Sequence, residues 1–67
     1  MSVAKVIEIS ASSPLGIEDA VQQGLAKVSQ SVNNIQGAWV SDIKVDTDND
    51  GSIRGWRVSM RISFVVD

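Results

Sequence analysis

The sequence predicts an α+β fold, β-α-β-β in order, with a three-stranded antiparallel sheet partly wrapped around one amphipathic helix. Three observations carry that prediction. The closing stretch, Gly55–Asp67, reads GWRVSMRISFVVD, placing Trp56, Val58, Met60, Ile62, Phe64 and Val66 on alternate positions against Arg57, Ser59, Arg61 and Ser63. Period-two alternation marks a strand with one apolar and one polar face. At about 3.3 Å per residue this strand spans roughly 40 Å, which demands neighbours on both edges and a cover on the apolar face. Ile17, Ala20, Val21, Leu25, Val28 and Val32 recur at spacings of three and four, the stripe of an amphipathic helix. Asp46–Ser52, DTDNDGS, then supplies residues tolerant of positive φ, so the second and third strands form a hairpin.

Taken in order, Ser2–Ser10 (SVAKVIEIS) is rich in β-branched residues and reads as the first strand, its imperfect alternation pointing to partial burial on both faces. Ala11–Gly16 breaks the pattern. Ser13 reads as a helix N-cap with Pro14 at the first helical position, and Glu18 and Asp19 follow near the positive end of the helix dipole. The helix runs to about Asn33, where Asn33-Asn34 tolerates a left-handed exit. Gly24 lies near the apolar stripe, where a missing side chain permits close approach to the sheet. Ile35–Asp46 (IQGAWVSDIKVD) is the second strand. The first strand most simply joins the other edge of the third, which is then central.

Composition bounds the function. The chain has 67 residues, read as a single domain over 1–67, with 43% apolar and 21% charged residues, ordinary globular values. It has neither cysteine nor histidine, so disulfides, thiolate chemistry and the commonest metal ligand and general base are excluded. No nucleophile and base can be paired, and the chain is read as not an enzyme. A net charge of −2 and a pI near 4.8 disfavour nucleic acid. No apolar run approaches the roughly 20 residues of a membrane span, and no signal-peptide h-region opens the chain, so a soluble, cytoplasmic protein is expected. So short a chain buries only about 60% of its unfolded surface, and its strands carry more apolar residues than one helix covers, which points to self-association.

Few residues stand out as chemistry. Asp46-x-Asp48-x-Asp50-Gly51 matches the first half of an EF-hand loop, and Ile53 fills its hydrophobic position, but the bidentate glutamate is replaced by Arg57 and the segment lies between strands. A solvated acidic turn is the plainer reading; a weak Ca²⁺ site is the alternative, since a cation would relieve the repulsion of three carboxylates. Trp56 falls on the apolar face and reads as core or a subunit contact. Trp39, whose companions by parity are Gly37, Ser41, Ile43 and Val45, reads as an interface anchor or as a stacking platform for a small planar ligand. Arg57 and Arg61 share a face, either solvated and salt-bridged or poised for an anion. Asp42, mid-strand where aspartate is disfavoured, pairs with Arg57 or Arg61 or bonds a polar ligand.

Three pieces together resemble the dodecins, a family of very small flavin-binding proteins: VAKVIEISASSPLGIEDAVQQGLAKVSQSV, GAWVSDIKV and RVSMRISFVVD. Nearly the whole chain is covered, and the signal lies in the combination of length, element order and the SSP helix start. The resemblance implies a hollow homo-dodecamer of cubic symmetry. It also implies riboflavin or FMN held in pairs at subunit interfaces between tryptophans, with a role in flavin storage, sequestration and photoprotective quenching. Alignment without a gap at Asn34-Ile35 puts the family's stacking tryptophan at Gly37, leaving Trp39 two positions further on the same strand face. The family's acidic residue near the ribityl chain falls on Asp42, and its ring-edge glutamine falls on Arg57. Expected flavin contacts are therefore Trp39, Asp42, Arg57 and the Gly37 position. The alternative is a dodecin-like shell that binds a cation such as Ca²⁺ through Asp46, Asp48 and Asp50, or binds no flavin.

Overall fold

A computed structural model describes residues 2–66. Its elements are β1 (Val3–Ser13), α1 (Ile17–Ser29), β2 (Ile35–Thr47) and β3 (Ile53–Val66), and the sheet is antiparallel in the order β1-β3-β2. The expected element order and the central third strand are both present. The Asp67 end of the expected third strand lies outside the described residues.

Alternation along β3 sorts its side chains as the sequence requires. Val58, Met60 and Ile62 are fully buried, whereas Arg57 and Arg61 are exposed. Burying such apolar side chains contributes about 1.5–3 kcal/mol each, enough to fix which face the helix covers. β1 brings Ile7, Ile9 and Ala11 opposite Ile62, Met60 and Val58, and α1 packs across β1 and β3. Gly24 is the point of closest approach: a Cβ there would lie 3.1 Å from Ile9 Cδ1, 3.2 Å from the Ala11 Cβ and in overlap with Met60 Cε. A glycine at this helix position, usually unfavourable, is what seats α1 on the sheet.

Three boundaries differ from the sequence reading. β1 continues past Ser10 to Ser13, because Ser12 and Ser13 still pair with Arg57 and Trp56. Ser13 is consequently not the N-cap. It is buried within the strand, accepting from the Leu15 amide at 3.0 Å and donating to Asp19 Oδ2 at 2.5 Å, which ties the strand end to the first helical turn. The helix begins at Ile17 after Gly16, whose φ of 155° and ψ of 176° suit glycine alone. At the other end α1 stops at Ser29 rather than near Asn33; the amides of Gln30, Ser31 and Val32 close on the Lys27 and Val28 carbonyls. Asn34, at φ 63°, makes the expected left-handed exit.

β2 is bare by comparison. It lies on the edge away from β1, and Trp39, Val40, Ile43 and Val45 are 59%, 42%, 49% and 37% exposed. Together with the turn it gives a molecule 53 Å long and only 19 by 13 Å across.

Candidate functional site

The helix-free face of the sheet gathers the polar residues singled out in the sequence, and a β-bulge decides how. Val40 pairs with Met60 and Asp42 with Ser59, so Ser41 is an extra residue. Its hydroxyl donates to the Ser59 carbonyl at 3.0 Å, anchoring the bulge. A single inserted residue reverses the parity of everything that follows. Ile43 and Val45 therefore face the helix side, opposite Val58 and Trp56, whereas Asp42 and Lys44 join Gly37 and Trp39 on the open face. This corrects the companions assigned to Trp39 by simple alternation. The signal was present in the sequence, since Val40 and Ile43 can share an apolar face only if one residue between them is skipped.

Across the open face the register forms rows. Trp39 lies opposite Arg61, which lies opposite Glu8; Gly37 lies opposite Ser63, which lies opposite Val6. Val6, Trp39 and Arg61 line an open cavity of about 350 Å³, within the lower range of small-molecule sites. The indole is 59% exposed there, an unusual state for the largest apolar side chain. Arg61 and Val6 complete this wall; sequence reasoning gave Arg61 only an anion or salt-bridge role and missed Val6, because cross-strand register is invisible without pairing.

The expected pairing of Asp42 with Arg57 or Arg61 is not found. Arg57 instead donates to Asp46 Oδ2 at 3.3 Å. Asp42 stands opposite Ser59, diagonally between the two arginines, with no hydrogen bond or ion pair among the described residues. Its carboxylate is thus a spare acceptor beside two cations. Diagonal neighbours in a sheet lie about 7–8 Å apart, within reach of arginine, so Arg57 can exchange Asp46 for another anionic group.

The acidic turn is organised differently from a metal loop. Asp46 engages Arg57, Asp48 lies 3.5 Å from Arg54 Nε, and Asp50 Oδ1 accepts from the Ser52 amide at 3.0 Å. Hydrogen bonding by Ser52, through its side chain and its backbone, holds the Asp50 carboxyl below its ordinary value. The Gly51 amide closes on the Asp48 carbonyl at 3.0 Å with Gly51 at φ 87°, which fixes a tight solvated turn. Among the described residues no three histidine, cysteine or carboxylate groups are grouped to hold a metal ion. The alternative ligand set Asp46, Asp48 and Asp50 is therefore not brought together within one chain.

A family model described as Dodecin matches residues 3–67. The calcium dodecin of Mycobacterium tuberculosis is 34% identical over 64 residues, covering 96% of this chain and 89% of that protein. Its crystal structure is described as a calcium-chelating immunodominant antigen with a novel calcium-binding site. That structure superposes with a TM-score of 0.82 at 32% identity over 98% of this chain and 93% of the other. A dodecin from Streptomyces davaonensis gives a TM-score of 0.89 at 27% identity, covering 98% and 96% of the two chains. A Thermus thermophilus dodecin variant reaches 0.91 at 22% identity over 100% and 98%, a likeness of fold. No helix among the described residues is long and apolar enough to cross a membrane.

Proposed function

The chain belongs to the dodecin family, and from that premise we propose that it binds a flavin, riboflavin or FMN, on the helix-free face without turning it over. The observation that carries this reading is the half-exposed Trp39 indole, set beside Arg61 over the open cavity. Trp39 stacks on the isoalloxazine plane, the interaction by which an aromatic side chain gains most from a flat ligand. Asp42 accepts from the ribityl hydroxyls, a role open to a carboxylate with no internal partner. Arg57, released from Asp46, meets the ring carbonyls or the phosphate. Gly37 stands at the position of the family's stacking tryptophan. An electron-rich indole in contact with the ring also quenches its excited state, in keeping with storage, sequestration and photoprotection rather than catalysis.

The working form in this reading is a homo-dodecamer of single domains spanning 1–67, in the cytoplasm. Support for assembly comes from Val40, Ile43 and Val45, an apolar strip on the helix side of β2 that α1 leaves largely exposed. Copies meeting along that edge bury the strip. The test is a titration of riboflavin and FMN fluorescence with purified oligomer. Quenching at micromolar protein is expected; unquenched fluorescence with the oligomer intact refutes flavin binding.

A second reading, a cation-binding shell without flavin, is favoured by the 34% identity to a protein named calcium dodecin. In it Asp46, Asp48 and Asp50 of the turn contribute, joined by groups from other copies. Calorimetry with Ca²⁺ decides: a binding heat that disappears in Asp48→Asn supports this reading, and no heat in the parent removes it.

A further inference from the structure

One cross-strand row on the open face carries three side chains of complementary chemistry. Trp39 on β2, Arg61 on β3 and Glu8 on β1 are register partners. A stacking surface, a donor fork and an acceptor therefore stand in line across the sheet. Arg61 and Glu8 are directly opposite and of opposite charge, an arrangement in which cross-strand side chains attract. Both are nevertheless exposed, and the ion pairs among the described residues, Arg54 with Asp48 and Arg57 with Asp46, involve neither. Neither takes part in a side-chain hydrogen bond among the described residues. The donor and the acceptor are both left available beside the indole.

Spacing decides what can lie on this row. Neighbouring strands are about 4.8 Å apart, so Trp39 and Glu8 are separated by roughly 10 Å across β3, a span that three fused six-membered rings bridge. Arg57 lies four residues before Arg61 on the same face, which at about 3.3 Å per residue places it roughly 13 Å down the strand. A ring stacked on Trp39 thus has Arg61, not Arg57, as the cation at its edge. Asp42 and Ser59 stand between the two arginines, and Arg57 falls toward the far end of the ligand, where a phosphate would lie.

We infer that the row Trp39–Arg61–Glu8 reads the imide edge of the flavin ring: Arg61 donates to a ring carbonyl and Glu8 accepts from the imide N–H beside it. This rests on the flavin reading above. The imide edge presents a carbonyl, an N–H and a carbonyl in succession. It therefore takes a donor and an acceptor side by side, which an arginine and a glutamate in register supply. The row selects planar ligands that carry this edge. It discriminates against the same ring with its imide nitrogen blocked, because a site built around an N–H rejects the analogue that lacks it.

Fluorescence titration with riboflavin and with N3-methylriboflavin tests the inference, on the parent oligomer and on Glu8→Met and Arg61→Met, with size-exclusion mass checked for each. The parent should bind riboflavin at least about tenfold more tightly than the methylated ligand. Glu8→Met keeps the side chain's length and removes the acceptor, so that ratio should shrink to about threefold or less. Arg61→Met should weaken binding of both ligands by at least about tenfold. Equal binding of the two ligands by the parent, an unaltered ratio in Glu8→Met or unchanged affinity in Arg61→Met overturns the inference while leaving the flavin reading standing. Loss of the assembly in either variant also overturns it, because the charged pair then serves contact between copies. Absence of quenching by the parent itself refutes the flavin reading, and the inference with it, before any variant is made.

Discussion

The two edges of the sheet are built from similarly apolar strands yet end in opposite states. On the β1 side α1 closes over Val58, Met60 and Ile62, which have no exposure at all. On the β2 side Val40, Ile43 and Val45 face the same way and remain 37–49% exposed. The difference is one of helix width: a 13-residue helix about 10 Å across covers two strands, not three. One edge of the molecule is a finished core, and the other is a core awaiting a partner. The candidate site lies on the opposite face, where no helix covers Trp39.

The covered edge should be the costlier to damage. Met60→Ala empties a fully buried position under Gly24 and is expected to destabilise by about 2–5 kcal/mol, measured by urea unfolding at fixed protein concentration. A cost below 1 kcal/mol would mean that the helix does not seat there. Ile43→Asp tests the bare edge. Within one chain it is a surface change worth about 0.5 kcal/mol or less, but it sets a charge in the apolar strip. The mass in solution should fall while the circular dichroism spectrum keeps its strand and helix bands; an unchanged mass would show that β2 is not a contact between copies.

Smaller effects belong to the open face and the turn. Asp46→Asn breaks a half-exposed ion pair with Arg57, so stability should change by less than about 1 kcal/mol. The freed guanidinium should tighten FMN binding, and weaker binding would indicate that the pair positions Arg57 instead. Asp50 carries a pH signature. Its carboxyl is held below the ordinary 3.8 by the Ser52 hydrogen bonds, so its contribution is complete above that value and is lost as pH falls through the lowered one. The Tm difference between the parent and Asp50→Asn should be constant from neutral pH down to about 4 and shrink below it. A difference that shrinks already near neutrality would contradict the assignment.

Much of this architecture is legible in the sequence. The alternation in β3 announces its faces, and Gly24 in the helical stripe announces close packing, because both follow from local periodicity. The bounds of α1 are less legible. Ser13-Pro14 has the chemistry of a helix start, but pairing of Ser12 and Ser13 with β3 holds those residues in the sheet, and Gly16 takes the cap. Nor did the pattern give the composition of the site. Placing Asp42 and Lys44 beside Trp39 depends on the Ser41 bulge, and the contacts of Arg57 and Arg61 depend on register, both products of tertiary pairing. The Asp-rich turn, whose plainer reading is a solvated acidic turn, has its carboxylates each engaged locally, with Arg57, Arg54 and the Ser52 amide, contacts that the spacing alone does not give.

The central claim is that the flavin ring meets this chain at Trp39, two residues along the strand from the family's usual stacking position. Parallel titrations of FMN fluorescence with the parent oligomer and with Trp39→Ala test it most directly, size-exclusion mass being checked for both. The expected result is quenching by the parent and, with the assembly intact, at least about tenfold weaker binding by the variant, the stacking contribution of one aromatic ring. Equal quenching by the two proteins would contradict the account.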